Sequence, residues 1–136
     1  MIRATVDTSV FVSALNFGGL PNEVLNQCQA DAFSLCLSQS IVDEIHRVLR
    51  DAFEWSDEDL DEALEPILSL AEIVEPTRVV TASRDPNDDH VLACAIEAEA
   101  DVIVSGDNDL LTIGAFEGIR IMNPRQFLDL LSNLPE

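Results

Sequence analysis

Val102-Ile103-Val104-Ser105-Gly106-Asp107-Asn108-Asp109-Leu110-Leu111 decides the fold: a β-branched triplet, an acidic corner, then a short helical turn near Leu110. β-Branched residues fit a pleated, buried surface, so Val102–Val104 reads as a strand with Asp107 just past its carboxyl end. The amino terminus repeats the form. Ile2–Val6 reads as a strand, and Asp7 follows it at once in Val6-Asp7-Thr8-Ser9-Val10-Phe11.

Three more strands are expected: Phe33–Leu37, a short edge piece at Ile73–Val74, and Ile119–Met122. Helical periodicity fills the intervals at Val10–Leu15, Asn22–Ala30, Ile41–Asp51, Asp57–Ala71, Asn87–Glu99 and Arg125–Leu131. Strands separated by helices imply crossover connections and a mostly parallel sheet covered by helices on both faces. With no repeat or linker, residues 1–136 read as one α/β domain. In such a sheet, ligands bind beyond the carboxyl ends of the strands, where Asp7 and Asp107 stand.

Composition narrows the chemistry. No apolar run approaches the roughly 20 residues of a membrane span, and the first residues lack a signal peptide's pattern, so a cytoplasmic location is expected. Cys28, Cys36 and Cys94 have no CxxC spacing and read as small core residues. The absence of lysine excludes a P-loop and a Schiff base, and no GxGxxG is present. Twenty-six acids against seven arginines give a net charge of −19. Such a surface argues against an acidic ligand, unless it is adapted to a high-salt cytoplasm that screens charge to within about 3 Å.

Glu44 and Asp89 extend the set of acids. Ile41, Ile45, Val48 and Leu49 form an apolar stripe. At about 100° per residue, Glu44 falls beside it and Asp43 opposite. Around Asp85-Pro86-Asn87-Asp88-Asp89-His90, Asp85 reads as a helix N-cap with Asp88 as its capping partner. That leaves Asp89 spare, in line with Leu92, Ala93 and Ile96. Each acid also has a plain structural role available, as a cap, a boundary residue or a partner of the helix dipole. Asp109, ahead of Leu110-Leu111, is a capping candidate too.

Asp7, Glu44, Asp89 and Asp107 come from four elements and are expected to meet at one end of the sheet. Crowded carboxylates raise each other's pKa values, and a divalent cation removes the conflict. An all-oxygen donor set suits Mg²⁺ or Mn²⁺ better than zinc. Such a cation would activate water for attack on a phosphodiester. Ser9 and Ser105 are then expected to orient carboxylates or water by hydrogen bonds. His46 reads as solvated, and His90, beside Asp89, is a weak candidate for touching substrate.

These residues resemble the PIN domain family. Asp7-Thr8-Ser9-Val10-Phe11-Val12-Ser13-Ala14 is similar to its opening motif. Asp85-Pro86-Asn87-Asp88-Asp89-His90-Val91-Leu92-Ala93-Cys94-Ala95 and Val104-Ser105-Gly106-Asp107-Asn108-Asp109-Leu110-Leu111 resemble its central and distal motifs. The nearest branch is that of the toxin components, VapC-like, of toxin–antitoxin pairs. The resemblance implies a Mg²⁺- or Mn²⁺-dependent endoribonuclease, a homodimer, silenced by a small antitoxin protein. It carries metal-ligand and catalytic roles onto Asp7, Glu44, Asp89 and Asp107, with Asp88 as substitute for Asp89 and Asp109 as auxiliary. Without lysine, RNA would be gripped by arginine, metal and backbone N–H groups, with Arg47, Arg50 and Arg84 as candidates.

Two rivals remain at this stage. One is a catalytically silent module that keeps the fold and binds a partner, although such a module gains nothing from crowded like charges. The other is a metal-dependent phosphatase-like hydrolase, which would want a second acid two residues after its nucleophilic Asp, where Ser9 stands. The stripe Leu60, Leu64, Ile67 and Leu68 reads as core in a helix kinked at Pro66.

Overall fold

A computed structural model describes residues 1–134. The strands are β1 (Arg3–Val6), β2 (Ser34–Ser38), β3 (Glu72–Val74), β4 (Val102–Val104), β5 (Ala115–Phe116) and β6 (Ile119–Met122). The helices are α1 (Thr8–Phe17), α2 (Gly19–Gln29), α3 (Gln39–Phe53), α4 (Asp57–Leu68), α5 (Asp89–Glu97), α6 (Asn108–Ile113) and α7 (Pro124–Ser132). A single 3₁₀ turn, Pro86–Asp88, leads into α5. This is one α/β domain around one sheet.

The sheet runs β3-β2-β1-β4-β6-β5, parallel except for the β5–β6 pair. All three residues of β4 are buried, although consecutive strand residues point to opposite faces. Both faces are therefore covered, as a parallel sheet requires. From β1 the chain crosses to β2 on one side, whereas β4 joins β1 on the other. The strand order thus reverses between β1 and β4, and a crevice opens beyond their carboxyl ends at such a point.

Two elements depart from the sequence reading. The β5–β6 hairpin was not expected. Its turn residues Glu117 and Gly118 both have positive φ, 50° and 84°, a geometry usually signalled by Asn-Gly or Asp-Gly. The helix expected over Asn87–Glu99 instead starts as a 3₁₀ turn and becomes α-helical only at Asp89. Elsewhere the differences are shorter. α4 ends at Leu68 rather than Ala71, with Pro66 in its last turn. α3 buries Val42 with Ile41, Ile45 and Leu49, and leaves Val48 half-buried.

Leu60, Leu64 and Ile67 of α4 join the core beside Phe11, Leu25, Leu35, Leu92, Ile103 and Phe127. Cys28, Cys36 and Cys94 are free and buried, and burial pushes the Cys28 and Cys94 thiols up to about 11. Protonated and enclosed, they fill volume rather than react. No described helix is long and apolar enough to cross a membrane.

Candidate functional site

Asp7 occupies the first position past β1 and is only 4% exposed. Its backbone N–H donates to the Val104 carbonyl at 2.9 Å, fastening the end of β1 to the end of β4. Although it holds the N-cap position of α1, its side chain makes no capping bond. Its Oδ2 instead accepts from the Ser105 hydroxyl at 2.7 Å and the Ser9 hydroxyl at 2.9 Å. Each hydroxyl is itself oriented from the far side. Asp107 N donates to Ser105 Oγ at 2.9 Å, and Gly106 N donates to Ser9 Oγ at 3.0 Å. Two backbone amides thus turn two hydroxyls onto one carboxylate oxygen.

Burial raises the Asp7 pKa, and the charges of Glu44 and Asp107 raise it further, against the opposing pull of the two hydroxyls. Asp107 is the N-cap of α6, its Oδ1 accepting from Asp109 N at 2.7 Å and Leu110 N at 3.4 Å. Asp109 therefore lies inside the first turn rather than capping it. Oxygens of Asp88, Asp107 and Asp109 all fall within 4.8 Å of one another. Asp88 is buried, and its carboxyl is pushed up to about 7, first by desolvation and then by Asp107, Asp7 and Asp85.

Asp88 and Asp89 have exchanged the parts that helical phasing suggests. Asp89 is buried, but its Oδ1 accepts from Ala82 N at 3.0 Å and Ser83 N at 2.7 Å. It anchors the incoming loop. Asp88, cast as a capping partner, joins Asp107 and Asp109 instead, while Asp85 alone caps the turn through Asn87 N at 3.0 Å. The cause is the 3₁₀ turn. It advances about 120° per residue against 100° in an α-helix, so phasing drawn back from the Leu92 stripe misplaces the side chains before Asp89. Pro86-Asn87 ahead of the two acids was the only local hint.

Glu44, in the second turn of α3, is half-buried; its Oε1 lies 3.6 Å from His90 Nε2 and its Oε2 3.7 Å from Arg47 Nη2. His46 is half-buried, with Nδ1 2.8 Å from the Val42 carbonyl. Arg50 lies apart, against Asp51 and Asp57. Arg84 is exposed on the loop before Asp85.

The donor set tests well against a divalent cation. Among the described residues, two buried side-chain polar atoms have no hydrogen-bond partner, Asp88 Oδ2 and Thr8 Oγ1. One belongs to the acid cluster, and the other to the residue after Asp7. Orphaned buried oxygens are rare and mark the place of an absent partner. Only carboxylate and hydroxyl oxygens gather here, which suits a hard cation.

Comparison with known proteins bears on the fold and the family. No curated protein matches by sequence. The chain is similar in fold to PAE2754 from Pyrobaculum aerophilum, with a TM-score of 0.66 and 14% identity over 98% of this chain and 91% of that one. It is also similar to a chain of VapBC2 from Rickettsia felis, solved bound to a DNA fragment from their promoter. There the TM-score is 0.59, at 14% identity over 90% of this chain and 98% of that one. A model of the PIN domain matches residues 3–109, a span running from β1 to the acidic corner after β4 and taking in Asp7, Glu44, Asp88, Asp89, Asp107 and Asp109. The chain belongs to the PIN domain family.

Proposed function

We propose that the protein is a divalent-cation-dependent endoribonuclease, acting in the cytoplasm as the VapC-like toxin of a toxin–antitoxin pair and working as a homodimer. The observation that carries this reading is the convergence of Asp88, Asp107 and Asp109 within 4.8 Å, beside buried Asp7. PIN domain proteins are generally nucleases, and the likeness to a chain of VapBC2 supports a small antitoxin as partner.

Asp7, Asp88 and Asp107 would hold Mg²⁺ or Mn²⁺, with Glu44 and Asp109 completing the oxygen set and Asp89 holding the loop. The cation supplies Lewis-acid activation of water and charge neutralisation at a phosphodiester. The chain's own part is positioning. Ser9 and Ser105 keep Asp7 Oδ2 occupied and so aim its other oxygen. The β1–β4 junction fixes Asp7 relative to Asp107, and the burial of Asp7 and Asp88 keeps bulk water from screening their charges. No nucleophilic side chain is required.

The test is cleavage of a mixed RNA by purified protein with Mn²⁺, with and without chelator, from low to molar salt. Metal-dependent cutting that Asp7→Asn and Asp107→Asn reduce at least about 100-fold is expected. A folded, metal-loaded, antitoxin-free protein that cuts nothing would transfer the case to a silent interaction module.

A further inference from the structure

Beside the acid cluster, a cleft of about 400 Å³ opens between α3 and the start of α5, lined among others by Ser40, Glu44, Arg47, Asn87 and His90. Its volume is that of small-ligand sites, about 300–1,000 Å³. Its walls offer hydroxyl, amide, imidazole and guanidinium donors, beside two carboxylates: Glu44, and exposed Asp43, whose Oδ1 accepts from Gln39 Nε2 at 2.9 Å. In a chain with seven arginines and no lysine, this placement is selective. Arg3, Arg50 and Arg78 are engaged by Glu72, Asp57 and Glu117, away from the acids. Arg47 is the guanidinium that the structure pairs with a residue of the candidate site.

Glu44 stands between the two regions. On one side its charge raises the pKa of Asp7. On the other it faces His90 Nε2 at 3.6 Å and Arg47 Nη2 at 3.7 Å. Those separations exceed the roughly 2.7–2.9 Å of a formed charge-assisted bond, so Glu44 covers His90 and Arg47 without gripping them.

We propose that this cleft is an RNA phosphate subsite, in which Arg47 and His90 hold a phosphodiester adjoining the one cleaved and Glu44 gates their access. The inference rests on the nuclease reading. As long as Glu44 faces the cleft, it competes with phosphate for both donors. Glu44 turned toward Asp7 leaves them free, so conditions that draw it to the acid cluster strengthen RNA binding. Close contact is what binding here must use. The net charge repels RNA at long range, and at molar salt only interactions within about 3 Å escape screening.

Fluorescence anisotropy of a 5′-labelled, mixed-sequence single-stranded RNA, titrated with the full chain in chelator over a salt series, tests this without cleavage. Arg47→Ala should weaken binding about tenfold and flatten the logarithmic salt slope by about 0.7, one phosphate contact on a single strand. Arg47→Lys should restore the slope, His90→Ala should weaken binding, and Arg125→Ala on α7 should change neither quantity. Glu44→Gln should tighten binding several-fold more than Asp51→Asn, which removes the same charge farther along α3. An unchanged slope in Arg47→Ala overturns the subsite and leaves cleavage data to decide the nuclease. Equal effects of Glu44→Gln and Asp51→Asn overturn the gate. Arg47-dependent binding without cleavage under any condition overturns the nuclease and keeps the subsite. A wild-type chain that binds no RNA overturns both.

Discussion

Asp88 and Asp107 bring carboxylate oxygens within 4.8 Å of each other although they enter the crevice from opposite ends of α5 and β4. Asp107 follows a central strand and is held by the sheet. Asp88 arrives on a 3₁₀ turn at the end of a long loop. One acid belongs to the frame of the domain and the other is delivered to it.

Adjacent acids should therefore separate in a thermal-shift experiment. Asp89→Ala removes the acceptor of two backbone N–H groups and should cost about 1–3 kcal/mol, lowering the melting temperature while leaving a Mn²⁺-induced rise. Asp88→Ala should show the reverse, with metal-free stability kept or improved and the Mn²⁺-induced rise lost. The same response from both variants would contradict the division of labour between them.

Asp88 also predicts a pH signature. Its carboxyl is raised from an ordinary 3.8 to about 7 in the folded chain. Between those values the folded state holds the extra proton, so raising the pH through this window removes stability, and the loss is complete above 7. The melting temperature of metal-free wild type, relative to Asp88→Asn, should fall from pH 4 to pH 8. Saturating Mn²⁺ should abolish the fall. Parallel pH curves for the two proteins would refute the assignment.

The crevice was legible in outline because it depends on strand ends. Asp7 and Asp107 follow short β-branched runs that read as buried strands. Glu44 faces the acids' side because α3 keeps a regular α-helical phase from Ile41 to Leu49. Where regular phase is lost, the sequence left the choice between Asp88 and Asp89 open. Pro86 opens a turn of a different pitch, which exchanges the environments of Asp88 and Asp89. The hairpin at Glu117-Gly118 depends on an unusual residue at a positive φ, supported by Arg78 from a distant loop, and local sequence carries no trace of that partner.

Ser105→Ala offers a test of how Asp7 is aimed. The substitution takes a donor from Asp7 and an acceptor from Asp107 N, at an expected cost of about 1–3 kcal/mol. Asp7 should then titrate higher, because a hydrogen bond to the charged form has gone. A chain that melts lower and shows a more alkaline acid limb of RNA cleavage meets this expectation. Unchanged melting would show that the relay contributes nothing.

The net charge of −19 sets a further expectation. Repulsion among exposed acids acts over about 10 Å at 0.1 M salt and about 3 Å at 1 M. Melting temperature should rise by several degrees between 0.1 and 2 M KCl, most steeply at the low end. A flat or falling curve would remove the high-salt explanation of the composition.

The loop that ends at Asp88 has one more property. At its start, Thr77 donates through N–H and hydroxyl to Glu97, in the last turn of α5. At its end, Ala82 and Ser83 donate to Asp89, in the first. The segment is a strap buckled at both ends of one helix and running against its direction. From Asp89 to Glu97 α5 rises about 12 Å, whereas the five steps from Thr77 to Ala82 reach at most about 18 Å. One residue fewer would cut that reach to about 14 Å, close to the span itself, so the length of the strap becomes a dimension of the candidate site. A residue deleted between Arg78 and Thr81 would tug on the buckle beside Asp88, and the damage would appear far from the cut.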